Sequence, residues 1–246
     1  MMDKPVALVT GASSGIGAAV AEVLADAGMT VHAMARRADR LETLGAQTGC
    51  ETHMLDVTDT AGLENLIPQI NPDILVLNAG RGAGFEGITE TTPEDLAATI
   101  DTNITAVLNM IRLSVPAMRA RGAGHIVLLG SVSGLYPSVS ALYGGTKAAI
   151  WMIAQNLRLE LRGTGIRVTD IRPGRVATEF YDAAMTTPEK AARAKDTGIS
   201  ELMPSDIAAA VLYAVRAPRH VNVSAIELQP VEQTYGGVNF DPLPDM

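Results

Sequence analysis

A tyrosine and a lysine stand four residues apart in the segment YGGTK at 143–147. If this segment opens a helix, residues four apart lie on one face, so the phenol of Tyr143 and the ammonium of Lys147 point the same way. A free phenol with a pKa of about 10 is a poor base at neutral pH, but a neighbouring cation favours the phenolate. The pair therefore has the chemistry of a proton donor and acceptor for a carbonyl or an alcohol.

A serine hydroxyl is available for the same site. Ser131 ends a predicted strand twelve residues before Tyr143, and it is placed to hydrogen-bond the oxygen atom on which the tyrosine acts. Ser133, two residues further along, is the alternative for this role. Comparison of the two alanine variants separates them.

The elements that position these residues follow from hydrophobic periodicity, since short β-branched runs alternate with longer runs of helical period. The predicted strands are residues 6–10, 31–35, 51–55, 73–78, 125–131, 166–171 and 224–229. The predicted helices are residues 15–27, 38–47, 59–70, 93–120, 142–162 and 204–216. This alternation predicts an α/β fold of the Rossmann type, a doubly wound sheet of seven mostly parallel strands flanked by helices on both faces. Ligands of such sheets bind outside the carboxyl ends of the strands.

The chain length of 246 residues and the hydrophobic content of 47% allow one large domain with a sizeable core. Because the alternation runs through the whole chain, we expect a single domain over residues 1–246. Residues 172–203 are the least regular part. A long connection inside a compact domain is usually a lid or a binding loop, so we expect a substrate loop at about 175–203.

Charge and composition exclude several classes of partner. The net charge is −8 and no block is rich in Lys or Arg, which argues against a nucleic-acid or anionic-membrane surface. The N-terminal segment lacks the pattern of a signal peptide, and no stretch reaches the roughly 18 apolar residues of a membrane span. We therefore expect a soluble cytoplasmic protein that acts on a small molecule.

Cysteine and histidine usage gives no sign of a disulfide or of a metal centre. Cys50 is the single cysteine, and we expect it to be a small buried apolar residue. The histidines lie far apart without ligand spacing, so no catalytic metal is expected. They are His32, His53, His125 and His220.

A glycine-rich turn joins the first strand to the first helix in the segment TGASSGIG at 10–17. Glycines there let the backbone turn tightly and approach a diphosphate, which then lies against the free N–H groups of the helix. Its position between strand and helix makes the signal specific for a dinucleotide. The residues assigned to the diphosphate are Gly11, Ser13, Ser14, Gly15, Ile16 and Gly17.

The end of the second strand decides which dinucleotide binds, because an acidic residue there would bond the ribose 2′-hydroxyl and repel a 2′-phosphate. This chain has Arg36 and Arg37 at that place and no acid. We expect Arg36 to pair with the 2′-phosphate, and Arg37 to stack over the adenine or to be solvated. The pattern favours NADP(H) over NAD(H). Asp56, beside Val57, is placed to accept a hydrogen bond from the adenine amino group.

Two further strand ends carry small or polar residues that suit a nicotinamide nucleotide. The fourth strand ends in Asn78-Ala79-Gly80, which allows a close approach of the backbone. Pro173, Gly174 and Thr178 follow the sixth strand. Each of these motifs alone is more often structural than functional.

As a set, these motifs resemble the short-chain dehydrogenase/reductase family in its single-domain branch. The shared features appear in the family's order across nearly the whole chain. They are TGASSGIG at 10–17, NAG at 78–80, Asn103, Ser131, YGGTK at 143–147 and PGRVAT at 173–178. The chain departs from the family pattern at Leu77, where an asparagine is frequent, and the interval from Ser131 to Tyr143 is one residue shorter than usual.

The resemblance implies a strand order of 3-2-1-4-5-6-7 and a set of residue roles. The catalytic tetrad would be Asn103, Ser131, Tyr143 and Lys147, with Asn103 holding a water that relays protons to the lysine. Lys147 would also bond the nicotinamide ribose. Val176 and Thr178 would contact the nicotinamide carboxamide.

The resemblance also implies hydride transfer between NADP(H) and the carbonyl or alcohol group of a small substrate. The segment VNVSAIELQPVEQ at 221–233 is similar to the end of a subgroup that includes NADP-dependent 3-hydroxy acid and serine dehydrogenases. Arg81 and Arg175 lie beside the predicted site and suit a small hydroxy acid or an anionic aldehyde. Paired or solvated arginines are the alternative, with Glu179 or Asp182 as partners.

Other readings of the substrate and of the class stay open at this stage. A wall that includes Phe180 would also accept neutral ketones or aldehydes. A protein that binds the dinucleotide as a sensor, without catalysis, would be expected to lack Tyr143 or Lys147. The resemblance further implies a homodimer or homotetramer formed through helices 93–120 and 142–162.

Overall fold

A computed structural model of the chain describes residues 4–233 and 240–242. The predicted span 1–246 therefore includes residues 1–3, 234–239 and 243–246, which lie outside the described part. Seven strands form one sheet in the order β3-β2-β1-β4-β5-β6-β7, and every adjacent pair is parallel. The strands are β1 Val6–Thr10, β2 Thr30–Ala35, β3 Glu51–Met54, β4 Ile74–Leu77, β5 Gly124–Leu129, β6 Ile166–Pro173 and β7 Ala225–Leu228. The predicted fold class and strand order are confirmed.

Helices cover both faces of the sheet, which is why the central strands β1 and β4 are apolar at nearly every position. Helices α1, α2 and α9 pack on one face and α3, α5 and α6 on the other. The α-helices of the described residues are α1 Gly15–Asp26, α2 Ala38–Thr48, α3 Thr60–Ile70, α4 Pro93–Ile100, α5 Ala106–Arg121, α6 Ala141–Glu160, α7 Phe180–Ala184, α8 Pro188–Lys195 and α9 Pro204–Arg216. None of these helices is long and apolar enough to span a bilayer.

The predicted continuous helix 93–120 is wrong in one respect, because α4 and α5 are separated by a π-helical turn at Asp101–Thr105. Such turns are frequent at functional sites, where they re-aim one side chain without ending the helix. Here the turn contains Asn103, whose buried amide is fixed by hydrogen bonds to the backbone of Arg81. Hydrophobic periodicity does not register a single wide turn.

The connection 172–203 contains more regular structure than its sequence suggests. Besides the end of β6, it holds α7 and α8. Thr187 caps α8 by accepting a hydrogen bond from Lys190 N at 3.3 Å, and Pro188 follows at the first helical position. A threonine before a proline is a helix-start signal that the irregular composition around it concealed.

Two glycines provide a matched test of the turn between β1 and α1. A Cβ at Gly17 would lie 2.3 Å from Gly11 O and 2.5 Å from Asn78 Nδ2, whereas a Cβ at Gly145 in α6 would meet no atom within 4 Å. We expect Gly17→Ala to lower the melting temperature, at a cost of about 1–3 kcal/mol for overpacking. Gly145→Ala should leave it unchanged or raise it, because alanine is the better helix former. Thermal unfolding of both variants checks this, and equal effects would contradict the packing account.

Candidate active site

A cleft of about 700 Å³ opens at the carboxyl ends of strands β1 to β6. All the residues that the sequence assigns to the cofactor line it except Gly17, which packs beneath the turn against Gly11. Ser131 and Ser133 also line the cleft, together with Arg81, Arg175 and Phe180. The cleft therefore brings the proposed cofactor and substrate residues into one space.

The glycine-rich turn has the backbone of an anion cradle. Gly11 and Gly15 have φ values of +66° and +53°, which only glycine adopts without strain. The first N–H groups of α1 have no partner within the helix and carry the positive end of its dipole. The hydroxyl of Ser14, at the cap position, makes no cap hydrogen bond to the helix and is held by Arg37 instead. This turn fits a diphosphate.

Asn78 fastens β4 to the start of the cradle. Its Nδ2 donates to Thr10 O at 2.9 Å, and Thr10 Oγ1 accepts from the backbone nitrogens of Asn78 and Ala79 at 3.0 Å each. The side chain of Asn78 thus holds the turn that the diphosphate would contact. Its role here is to fix the backbone.

Arg36 extends into solvent at the edge of the cleft, with 77% of its side chain exposed. Its guanidinium lies 3.5 Å from the carboxylate of Asp56, which also accepts hydrogen bonds from Thr58 N and Thr58 Oγ1 at 2.9 and 2.8 Å. Burial alone would raise the pKa of Asp56, but the hydrogen bonds from Thr58 and the charge of Arg36 outweigh it and lower the pKa. Because most of the Arg36 side chain is exposed, its guanidinium can still bind a second anion.

Arg37 lines the cleft beside the glycine-rich turn and is held there by polar contacts. It donates from Nε to Ser13 Oγ at 3.1 Å, and from its terminal nitrogens to Ser14 Oγ at 2.6 Å and Glu179 at 3.1 Å. Arg40 donates to the same Glu179 oxygen at 2.6 Å. The hydrogen bonds from Arg40 and then Arg37 lower the pKa of Glu179, so its carboxylate is charged. Three polar partners thus hold Arg37, whose side chain is 43% exposed.

Tyr143 lies at the start of α6, where Ser140 caps the helix by accepting from Tyr143 N at 3.0 Å. The rings of Phe85 and Phe180 pack on the phenol, with centroids 5.5 and 5.2 Å away. Burial raises the pKa of Tyr143 above that of a free phenol; the nearby Tyr181 adds to the rise, and a hydrogen bond with Ser131 opposes it. The phenol is therefore protonated at neutral pH when the cleft holds no other cation.

Lys147 is buried one helical turn later. Its Nζ donates to Leu129 O at 2.6 Å and lies 5.8 Å from the centre of the Tyr143 ring. Burial lowers the pKa of Lys147 to about 8, and the buried carboxylate of Asp170 opposes that decrease. A cation therefore stands beside Tyr143 at neutral pH and is lost as the pH rises above about 8.

Asn103 connects the π-helical turn to both sides of the cleft. Its Oδ1 accepts from Arg81 N at 2.7 Å, and its Nδ2 donates to Arg81 O at 2.9 Å and Thr146 Oγ1 at 3.0 Å. Both amide protons are thus used, and one lone pair of Oδ1 remains for a further donor. Thr146, which sequence reasoning did not single out, sets the position of this amide.

The two arginines proposed for the substrate both have partners. Arg81 pairs with Asp95, and its Nε is buried with no hydrogen-bond partner among the described residues. Arg175 donates to Glu201 at 2.8 Å and to Ala194 O at 2.6 Å, and its guanidinium lies 4.2 Å from the Tyr181 ring centre. The partner of Arg175 is therefore neither of the two acids that the sequence suggested.

Sequence reasoning named Glu179 as a possible partner of Arg81 or Arg175, but it did not find its contact with Arg37, and it did not single out Asp170. Glu179 contacts Arg37 across 142 residues of chain, and Asp170 is a fully buried carboxylate inside β6 that pairs with Arg172 at 2.6 Å. No local signal marked Asp170 as a buried acid, because its strand also carries two arginines and a threonine in the sequence IRVTDIRP.

The cleft thus combines a glycine-rich cradle and an exposed arginine at the second strand with a tyrosine beside a buried lysine, an arrangement typical of a dinucleotide-dependent oxidoreductase. Comparison with known proteins agrees with this class. The family model described as short chain dehydrogenase matches residues 5–189. The chain belongs to the short-chain dehydrogenase family.

Individual relatives match over nearly their whole length. The NADP-dependent 3-hydroxy acid dehydrogenase YdfG of Escherichia coli strain K12 is 36% identical over 243 residues, which cover 95% of this chain and 98% of the relative. Serine 3-dehydrogenase of Agrobacterium fabrum is 35% identical over 238 residues, covering 94% and 95%. The closed form of serine dehydrogenase complexed with NADP+ superimposes with a TM-score of 0.90 at 36% identity, covering 95% of this chain and 98% of that one. The chain is an NADP(H)-dependent oxidoreductase that acts on CH–OH groups.

The exposed guanidinium of Arg36 generates a test of cofactor choice. Arg36→Asp removes the cation and leaves two carboxylates near a 2′-phosphate, so we expect the KM for NADPH to rise at least about tenfold, with a smaller change for NADH. Arg216→Asp, on the exposed end of α9, makes the same charge change outside the cleft and should leave both values unchanged. Steady-state kinetics with both cofactors checks this, and an unchanged KM for NADPH in Arg36→Asp would rule out the assignment.

Proposed function

We propose that this enzyme interconverts a small 3-hydroxy acid and its oxo acid, and that an arginine of the cleft holds the substrate carboxylate. The observation that carries the proposal is the presence of two guanidiniums, Arg81 and Arg175, in the same cleft as the Tyr143 phenol. The activities of the relatives, on 3-hydroxy acids and on serine, support it. All of these substrates carry a carboxylate near the reacting carbon.

The proton chemistry is assigned to Tyr143. When bound, NADP(H) supplies or accepts the hydride. Tyr143 gives its proton to the carbonyl oxygen during reduction, and the phenolate takes a proton from the hydroxyl during oxidation. Ser131, which shares a hydrogen bond with Tyr143, holds the same substrate oxygen. The ammonium of Lys147 stabilises the phenolate form by its charge.

Asn103 is assigned a positioning role. It holds the backbone of Arg81 on one side and Thr146 on the other, so it fixes the start of α6 relative to the loop after β4. The remaining lone pair of Oδ1 can accept from one water molecule, as a proton relay to Lys147 requires. The aromatic rings of Phe85 and Phe180 exclude bulk water from the phenol.

Of the two arginines, Arg81 is the better candidate for the carboxylate. Its buried Nε has no partner among the described residues, so an anion there would satisfy a donor that the protein leaves unpaired. Arg175 is 9% exposed and already bonds Glu201 and Ala194 while stacking on Tyr181. We assign Arg175 to fastening α7 and α8 beside the cleft.

The assignment of the serine is tested by a pair of alanine variants. Ser131→Ala should lower kcat by about 100-fold or more, because the substrate oxygen loses a donor present in the transition state. Ser133→Ala should change kcat by a few-fold at most, since the described contact of Ser133 with this site is the donation of its backbone nitrogen to Ser131 Oγ at 3.1 Å. Initial rates of both variants show which serine holds the substrate oxygen. A larger loss of kcat in Ser133→Ala than in Ser131→Ala would assign that role to Ser133.

The carboxylate is tested by comparing 3-hydroxybutyrate with 2-butanol, a similar alcohol without the acid. Arg81→Gln should lower kcat/KM for the hydroxy acid at least about 30-fold and leave 2-butanol within about threefold, because one charge-assisted contact is lost. Arg175→Gln should affect the two substrates alike, since the role assigned to Arg175 is to fasten α7 and α8 beside the cleft. Equal losses for both substrates in Arg81→Gln would contradict an anionic substrate and favour a neutral ketone or aldehyde.

We also propose that α5 and α6 form a dimer seam. Three apolar side chains of these helices are exposed, Leu108, Met152 and Leu159. Exposed apolar residues on neighbouring helices are typical of a subunit interface. Light scattering should give a dimer or a tetramer at micromolar concentration, and a monomer would contradict the seam.

A further inference from the structure

Two histidines that are far apart in sequence meet at the outer edge of the sheet. His32 Nδ1 lies 2.9 Å from His53 Nε2, and the two rings stack with centroids 5.2 Å apart. The strand register explains the contact, since His32 of β2 pairs with Glu51 of β3 and Met34 pairs with His53. Because side chains alternate along a strand, His32, Glu51 and His53 project from one face. Sequence spacing alone gave no sign of this group.

Glu51 completes a set of three metal-binding groups. Its Oε2 lies 3.6 Å from His32 Nδ1, and one ligand atom from each of the three residues lies within 4.8 Å of the others. Ligands about 2.1 Å from a tetrahedral zinc ion are separated by about 3.4 Å. The two measured separations of 2.9 and 3.6 Å lie on either side of that value. Small side-chain adjustments are enough to place all three around one ion.

Without a cation, one nitrogen atom of this group faces more partners than it can hydrogen-bond. A neutral pair of imidazoles forms one N–H···N hydrogen bond, yet His32 Nδ1 faces both an imidazole nitrogen and a carboxylate oxygen. A divalent cation would accept a lone pair from each of the three groups.

We propose that His32, Glu51 and His53 form a binding site for a divalent transition metal of the zinc class, with solvent water completing its coordination. Two imidazoles and a carboxylate are ligands that zinc prefers. The Glu51 side chain is 64% exposed, which gives the ion a path from solvent. The metal would fasten the short edge strand β3 to β2.

This site is separate from the proton chemistry. The cleft of the candidate active site is lined by the ends of β2 and β3, including Arg36 and Asp56, and none of the three metal-binding residues lines it. The role of the metal is therefore structural, and stabilisation of the native state by mass action is its expected signature.

The test is calorimetric titration of chelator-treated, untagged full-length protein with zinc chloride. We expect about one ion per chain, and at least a tenfold loss of affinity in His53→Ala. Glu51→Gln should weaken binding in the same direction, and because Glu51 is exposed this variant keeps the fold. His220→Ala, at an exposed histidine outside the group, and Cys50→Ser, which removes the thiol, should bind as the wild type does.

Thermal unfolding gives a second readout that does not depend on activity. At the same zinc concentration, the melting temperature of the wild type and of His220→Ala should rise more than that of His53→Ala or Glu51→Gln. NADPH binding by each variant confirms that it is folded. Equal zinc affinity in the wild type and His53→Ala, or no zinc uptake by the wild type, would overturn the proposal.

Discussion

The site depends on a buried ammonium. Lys147 is buried at the base of the cleft, and a cation removed from water is costly unless its N–H groups are hydrogen-bonded and a counter-charge is near. Leu129 O, at the end of β5, accepts a hydrogen bond from Lys147 Nζ, and the carboxylate of Asp170 in the next strand supplies the counter-charge. These two strands and α6 must therefore hold their relative positions for Lys147 to stay charged beside Tyr143. The proposed acid–base chemistry follows from that placement.

The cofactor side and the substrate side of the cleft are connected by charge. Arg37 donates to the two serines of the glycine-rich turn and to Glu179 at the start of α7, whose first residue, Phe180, packs on Tyr143. One guanidinium therefore contacts both the turn that would bind the diphosphate and the acid that precedes Phe180.

The sequence predicts what depends on local chemistry and fails where distant segments meet. The alternation of short apolar runs with runs of helical period predicted the sheet and its flanking helices. The glycine-rich turn between β1 and α1 predicted a dinucleotide cofactor. The π-helical turn around Asn103 was not predictable from periodicity, because one wide turn does not change the apolar pattern. The contact of Arg37 with Glu179 and the meeting of His32 with His53 depend on strand order and on register, which short motifs do not encode.

Tyr143 is the proposed acid–base group, and we expect positive charge in the cleft to make its phenolate accessible. Ultraviolet difference titration measures this directly, with Tyr143→Phe as the blank that removes the signal of the other tyrosines. Since burial raises the pKa of Tyr143 in the free protein, the positive charge of the oxidised nicotinamide ring in bound NADP+ should lower the apparent pKa by at least about one unit. The same apparent pKa with and without NADP+ would contradict the account.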